Sequence, residues 1–84
     1  MPMSDEHYWK YAVMKDECEY LLEEAGAQWR DEFQVWDFAL GMIRLNVAWS
    51  GVRWEYNGGA GGLAEGYWSD LDDCREWISE NGEA

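Results

Sequence analysis

The sequence predicts a mainly α-helical fold: an antiparallel helix hairpin, then a short C-terminal helix, with room for a small β-hairpin that would make the class α+β. Three observations carry this expectation. Between Gln28 and Trp49, the residues Trp29, Phe33, Trp36, Leu40, Ile43 and Val47 recur at alternating spacings of four and three, the period of one helical face. A second apolar stripe runs from Tyr8 to Ala25 and a third from Leu71 to Ile78, each with acids near its start and glycine after its end.

Taken in order, Ser4 suits a helix N-cap, with Asp5 and Glu6 in a first turn whose dipole favours negative charge. Tyr8, Tyr11, Met14, Cys18, Leu21, Leu22 and Ala25 form the inward stripe, and Gly26 is the stop signal. The opposite side holds Trp9, Val13, Asp16, Tyr20, Glu23 and Glu24, more aromatic than solvation alone requires. The segment Gln28–Trp49 reads as the central helix. Val35, Phe38, Met42, Leu45 and Trp49 give it a second apolar side, so it must be covered twice. Gly26 and Ala27 would reverse the chain between the two helices.

After Ser50-Gly51 the pattern changes. Val52-Arg53-Trp54-Glu55-Tyr56 alternates with period two, like a half-buried strand. A glycine-rich loop at 57–66 contains the turn NGGAGG, and Leu63–Trp68 can return as a second strand, although Gly66 weakens it. Ser69-Asp70-Leu71-Asp72 caps the last helix, whose inward residues are Leu71, Cys74, Trp77 and Ile78. The whole chain, 1–84, reads as one compact domain.

Eighteen Asp and Glu against six Lys and Arg give a formal charge of -12. Phosphate contacts need clustered cations, so direct binding to nucleic acid is not expected, and an anionic membrane would repel the chain. The partner this charge suits is a basic protein. No apolar run reaches the ~18 residues that cross a bilayer, and the acidic N-terminus lacks the features of a signal peptide, so the expected location is cytoplasmic. Cys18 and Cys74 sit on apolar stripes and read as buried free thiols rather than a disulfide.

Chemical motifs fail on inspection. Gly59 to Ala64 matches G-x-G-x-x-A, but no helix opens at the glycines and no cation stands near for a phosphate. Counting an EF-hand from Asp70 puts Arg75 and Asn81 where glycine and glutamate are needed. His7 is the single histidine and has no visible nucleophile, and the carboxylates are too numerous for any pair to be diagnostic. No catalytic residue, metal site or cofactor is expected.

Two surfaces are left as candidates. Asp72, Asp73, Glu76 and Glu80 lie on the outward side of the last helix. There the i, i+4 acids stand about 6 Å apart along the axis, close to the spacing of phosphates on a strand. Trp9 and Tyr20 with Asp16, Glu23 and Glu24 combine anchor aromatics with steering charges. With its short length, its charge and acidic helices such as SDLDDCREWISE at 69–80, the chain resembles the small phage-encoded inhibitors of host defence, anti-CRISPR proteins and other DNA mimics. That resemblance implies a non-enzymatic inhibitor, acting in the host cytoplasm by occluding a basic channel that normally holds nucleic acid. Many members of the class bind protein surfaces without mimicry, which the tryptophan-rich composition suits equally. The alternative expectation is a small homodimeric assembly protein, in which Phe38, Met42 and Trp49 complete the core of a second copy.

Overall fold

The segment expected to be the central helix is three β-strands. The computed structural model describes residues 5–58 and 62–82, with side-chain surroundings from residue 8 onward. Helix α1 (Asp5–Glu24) leads into β1 (Gln28–Arg30), β2 (Val35–Phe38), β3 (Gly41–Ala48), β4 (Gly51–Asn57) and β5 (Leu63–Trp68), and helix α2 (Leu71–Gly82) ends the chain. The five strands form one antiparallel sheet in sequence order, so the class is α+β, and the mainly α assignment and its helix hairpin are overturned.

The reason lies in a coincidence of periods. Trp29, Trp36 and Ile43 are seven residues apart, two turns of a helix, but seven residues is also one strand, one tight turn and the return. The register pairs Trp29 with Trp36 and Trp36 with Ile43, side by side across three strands. The turns carry no glycine or proline to announce them. Gln34, Ala39 and Leu40 take positive φ instead, at 55°, 50° and 65°. Within β3 the period-two pattern is plain: Ile43 and Leu45 are buried while Met42, Arg44 and Asn46 are exposed.

The hairpin that the sequence left open is formed. Val52–Tyr56 and Leu63–Trp68 lie in β4 and β5, with Trp54 opposite Gly66 and Val52 opposite Trp68. Gly66 is needed there, because a Cβ would sit 2.9 Å from the Trp54 indole that covers it. The Gly59–Gly61 part of the loop, like Ser4 as a cap, lies outside the described residues.

The flanking helices were legible, although Tyr8 and Ala25 of the expected inward stripe of α1 are exposed. Helix α1 ends in a Schellman motif: Ala27 N–H donates to the Leu22 carbonyl at 2.9 Å and Gly26 N–H to that of Glu23 at 3.0 Å, with Gly26 at φ 101°. Helix α2 is capped by Asp70, whose carboxylate accepts from the Asp73 N–H at 3.0 Å, while the Asp73 carboxylate accepts from the Ser69 N–H at 2.9 Å.

Both helices pack on one face of the sheet. Met14, Cys18, Leu21 and Leu22 from α1, and Leu71, Cys74, Trp77 and Ile78 from α2, meet Trp36, Phe38, Ile43, Leu45, Val52, Trp54, Tyr56 and Trp68 from the strands. Trp77 is the centre of an aromatic cluster, its ring centroid 5.2 Å from Tyr56, 5.4 Å from Trp54, 5.8 Å from Trp68 and 5.9 Å from Phe38. The two lone cysteines are brought together in this core. They are fully buried and unbridged, and a hydrogen bond with Cys74 followed by burial holds the Cys18 thiol far above the ordinary cysteine range.

Candidate protein-binding face

The odd number of strands decides how the helices face the outside. Strands β1, β3 and β5 run one way, α1 runs back before β1 and α2 runs back after β5, so the two helices lie side by side and parallel. Their outward sides therefore form one layer. On the described part of it, Asp16, Glu17, Glu23, Glu24, Asp70, Asp72, Asp73, Glu76 and Glu80 stand against Lys10, Lys15 and Arg75. Neither helix carries a basic residue in its last turn, where a cation would complement the dipole.

The expected residues distribute over this layer as follows. Asp16 and Tyr20 line a shallow groove of 410 Å³ along the helix seam, with Val13 and Glu17 beside them and Leu71 and Arg75 across it. Asp72 lies toward the N-terminal end of the seam, in a second groove with Lys10, Glu17 and Asp70. Tyr20 hydrogen-bonds Glu24, and that bond, then the carboxylate charge, raises the phenol above its usual range. Trp9 stands exposed beside Tyr8, ring centroids 5.6 Å apart at 78°. Glu23, Glu76 and Glu80 are exposed. Asp73 is half-buried and its carboxylate is engaged in the cap. Asp72 pairs with Arg75 at 3.1 Å, an exposed pair of small worth. The α1 and α2 sets, argued separately from the sequence, are thus one surface.

What the sequence reading missed is the opposite face of the sheet, hidden inside the supposed central helix. It carries Arg30, Arg44 and Arg53, half of the cations in the chain, together with Asp37, Glu55 and Glu65. Arg30 pairs with Asp37 at 2.7 Å, and Arg53 pairs with Glu55 at 2.9 Å and with Glu65. The Arg44 guanidinium donates to the Phe33 carbonyl at 3.2 Å. A concavity of 680 Å³ opens here among Phe33, Val35, Met42, Arg44, Glu55 and Leu63. The alternation of Arg44 and Asn46 with Ile43, Leu45 and Val47 was the signal that could have revealed this face. Of the residues expected to complete a second copy's core, Phe38 is instead buried beside Trp77, Met42 lies on this open face, and Trp49 stands in the β3–β4 turn.

Among the described residues no group of three or more His, Cys, Asp or Glu is placed to hold a metal ion, and no helix is long and apolar enough to cross a membrane. The side chain of His7 lies outside the described residues. No protein-family model matches the chain, and neither a curated protein nor a solved structure matches it.

Proposed function

We propose that this is a non-enzymatic binding protein whose helical layer docks on a basic surface of a larger protein and occludes it, as an inhibitor of the anti-CRISPR or DNA-mimic type would. The surface it suits is one that handles nucleic acid, met in the cytoplasm. The observation that carries the reading is the placement of Glu23, Glu24 and Glu80 at the C-terminal ends of two parallel helices. An anion there opposes the dipole at a cost of about 0.3–1 kcal/mol each. Charge serving solubility alone is equally effective elsewhere on the surface. Acids kept where they destabilise the fold are explained by what they bind. Exposed Trp9 and Tyr20 supply apolar anchors on the same layer.

The test is a joint reversal, Asp72→Lys, Glu76→Lys and Glu80→Lys, with Glu23→Lys and Glu24→Lys as a second set. Partners captured from a lysate are washed across a salt series with competing DNA, and urea midpoints are measured in parallel. The expected result is a basic partner released by salt and displaced by DNA, lost in both variants. The fold should remain intact, and the second set should gain about 0.3–1 kcal/mol per reversed charge. Unchanged capture by both variants would refute the reading.

A further inference from the structure

The sheet face turned away from the helices is covered by none of the described residues yet does not have the character of a wetted surface. Phe33, Met42 and Leu63 expose 58%, 41% and 84% of their area around the 680 Å³ concavity, and Tyr67, opposite Arg53 on the same face, exposes 57%. Its charge also differs from that of the rest of the chain: on the strands three arginines balance three carboxylates, and Glu32 of the β1–β2 turn adds one acid beside Arg30 at the edge, in a molecule of charge -12.

We propose that this face is an interface between two copies of the chain, stacked sheet on sheet. Charge decides both the face and the occupant. Two helical layers brought together would set acid against acid, whereas two neutral faces can meet. Sheets stack about 10 Å apart, and the helical layers then lie beyond them on opposite outer sides. The acids of one copy are therefore separated from those of the other by more than the ~8 Å over which physiological salt screens them. A basic partner gains nothing from a neutral face.

The charges are also self-complementary. Glu55 and Glu65 stand directly opposite each other on β4 and β5 and share Arg53. Like charges in that position are unfavourable. Arg44 faces Glu55 across β3 and β4 but makes no ion pair among the described residues. A two-fold axis running between β3 and β4 places Arg44 of each copy over Glu55 of the other, supplying the second cation that the carboxylate pair lacks. Five strands of up to eight residues offer at most roughly 20 by 27 Å, less than the ~800 Å² per partner of a standard complex. The dimer is accordingly weak and concentration-dependent.

Sedimentation equilibrium of the full chain over a wide concentration range, in low and high salt, tests this. The expected result is a monomer–dimer equilibrium strengthened by salt, because the long-range term left between copies is repulsive. Met42→Lys with Leu63→Lys, both exposed, should weaken it about tenfold or more, and Arg44→Gln should weaken it less. Glu76→Lys with Glu80→Lys on the helical layer should leave dimerisation intact. A monomer at every concentration would overturn the proposal, as would a dimer indifferent to Met42→Lys with Leu63→Lys. Binding through the helical layer is weakened by salt, so the two surfaces respond with opposite sign and either can fail alone.

Discussion

The Trp36 indole N–H donates to a Glu19 carboxylate oxygen at 2.9 Å, tying the second turn of α1 from its C-terminus to the second strand of the sheet. Trp36 is buried and Glu19 half-buried, and Glu19 also accepts from Lys15 at 3.0 Å. One acid of α1 is thus committed to the fold rather than to solvent. Glu19→Leu strands the indole N–H, and we expect a loss of about 1–3 kcal/mol. Glu19→Gln keeps a side-chain oxygen as acceptor and should lose less than half of that. Chemical denaturation of both variants checks the difference, and equal losses would mean that packing, not the hydrogen bond, is what Glu19 supplies.

The β2–β3 turn is built from the wrong residues for its shape. Ala39 and Leu40 both have positive φ between the paired residues Phe38 and Gly41, a conformation that Asn-Gly adopts easily. Leu40 is fully exposed, so nothing packs on its side chain. The Tyr56 hydroxyl donates to the Ala39 carbonyl at 2.7 Å, a backbone contact that substitution retains. Ala39→Asn with Leu40→Gly should therefore stabilise the protein by about 1–2 kcal/mol. A lower urea midpoint in the double variant would count against the left-handed turn.

Alkali should unfold this protein through groups that hold their protons. Cys18 is raised from 9.0 by its bond to Cys74 and by burial, and Tyr56 is raised from 10.0 by desolvation. A group raised in the folded state contributes stability in full below its unfolded value and loses it as pH rises toward the folded one. The denaturation midpoint should therefore begin to fall near pH 9 and fall more steeply past pH 10. Cys18→Ala lowers the midpoint at neutral pH but removes the first part of the slope, and Tyr56→Phe reduces the second, to which the raised Tyr20 phenol also contributes. Midpoints measured from pH 7 to 11 in the three proteins decide the assignment; parallel curves would exclude it.

The ends of the chain were settled by local chemistry. Helix α1 stops before Gly26 because a left-handed residue there closes its Schellman motif, and α2 starts after Asp70 because the Asp70 carboxylate reaches the Asp73 N–H. Both signals act within five residues, so they are readable in the sequence, as are the inward stripe of α2 and the alternation of Val52–Tyr56. The middle was not readable. Trp29, Trp36 and Ile43 satisfy a helix and a meander equally, and the choice was made by partners far away in the chain: Glu19 for Trp36, Trp77 for Phe38, and β4 for β3. The same long-range pairing decided the surfaces. The sequence by itself determined that acids stand outward on both helices, with Trp9 and Tyr20 among them on α1. Only the five-stranded meander made the helices parallel neighbours, joined those acids into one layer, and left Arg44 and Met42 on an open face behind it. Spacing along a chain fixes which side of an element a residue takes, but which element it is, and what lies beside it, depends on contacts that spacing does not encode.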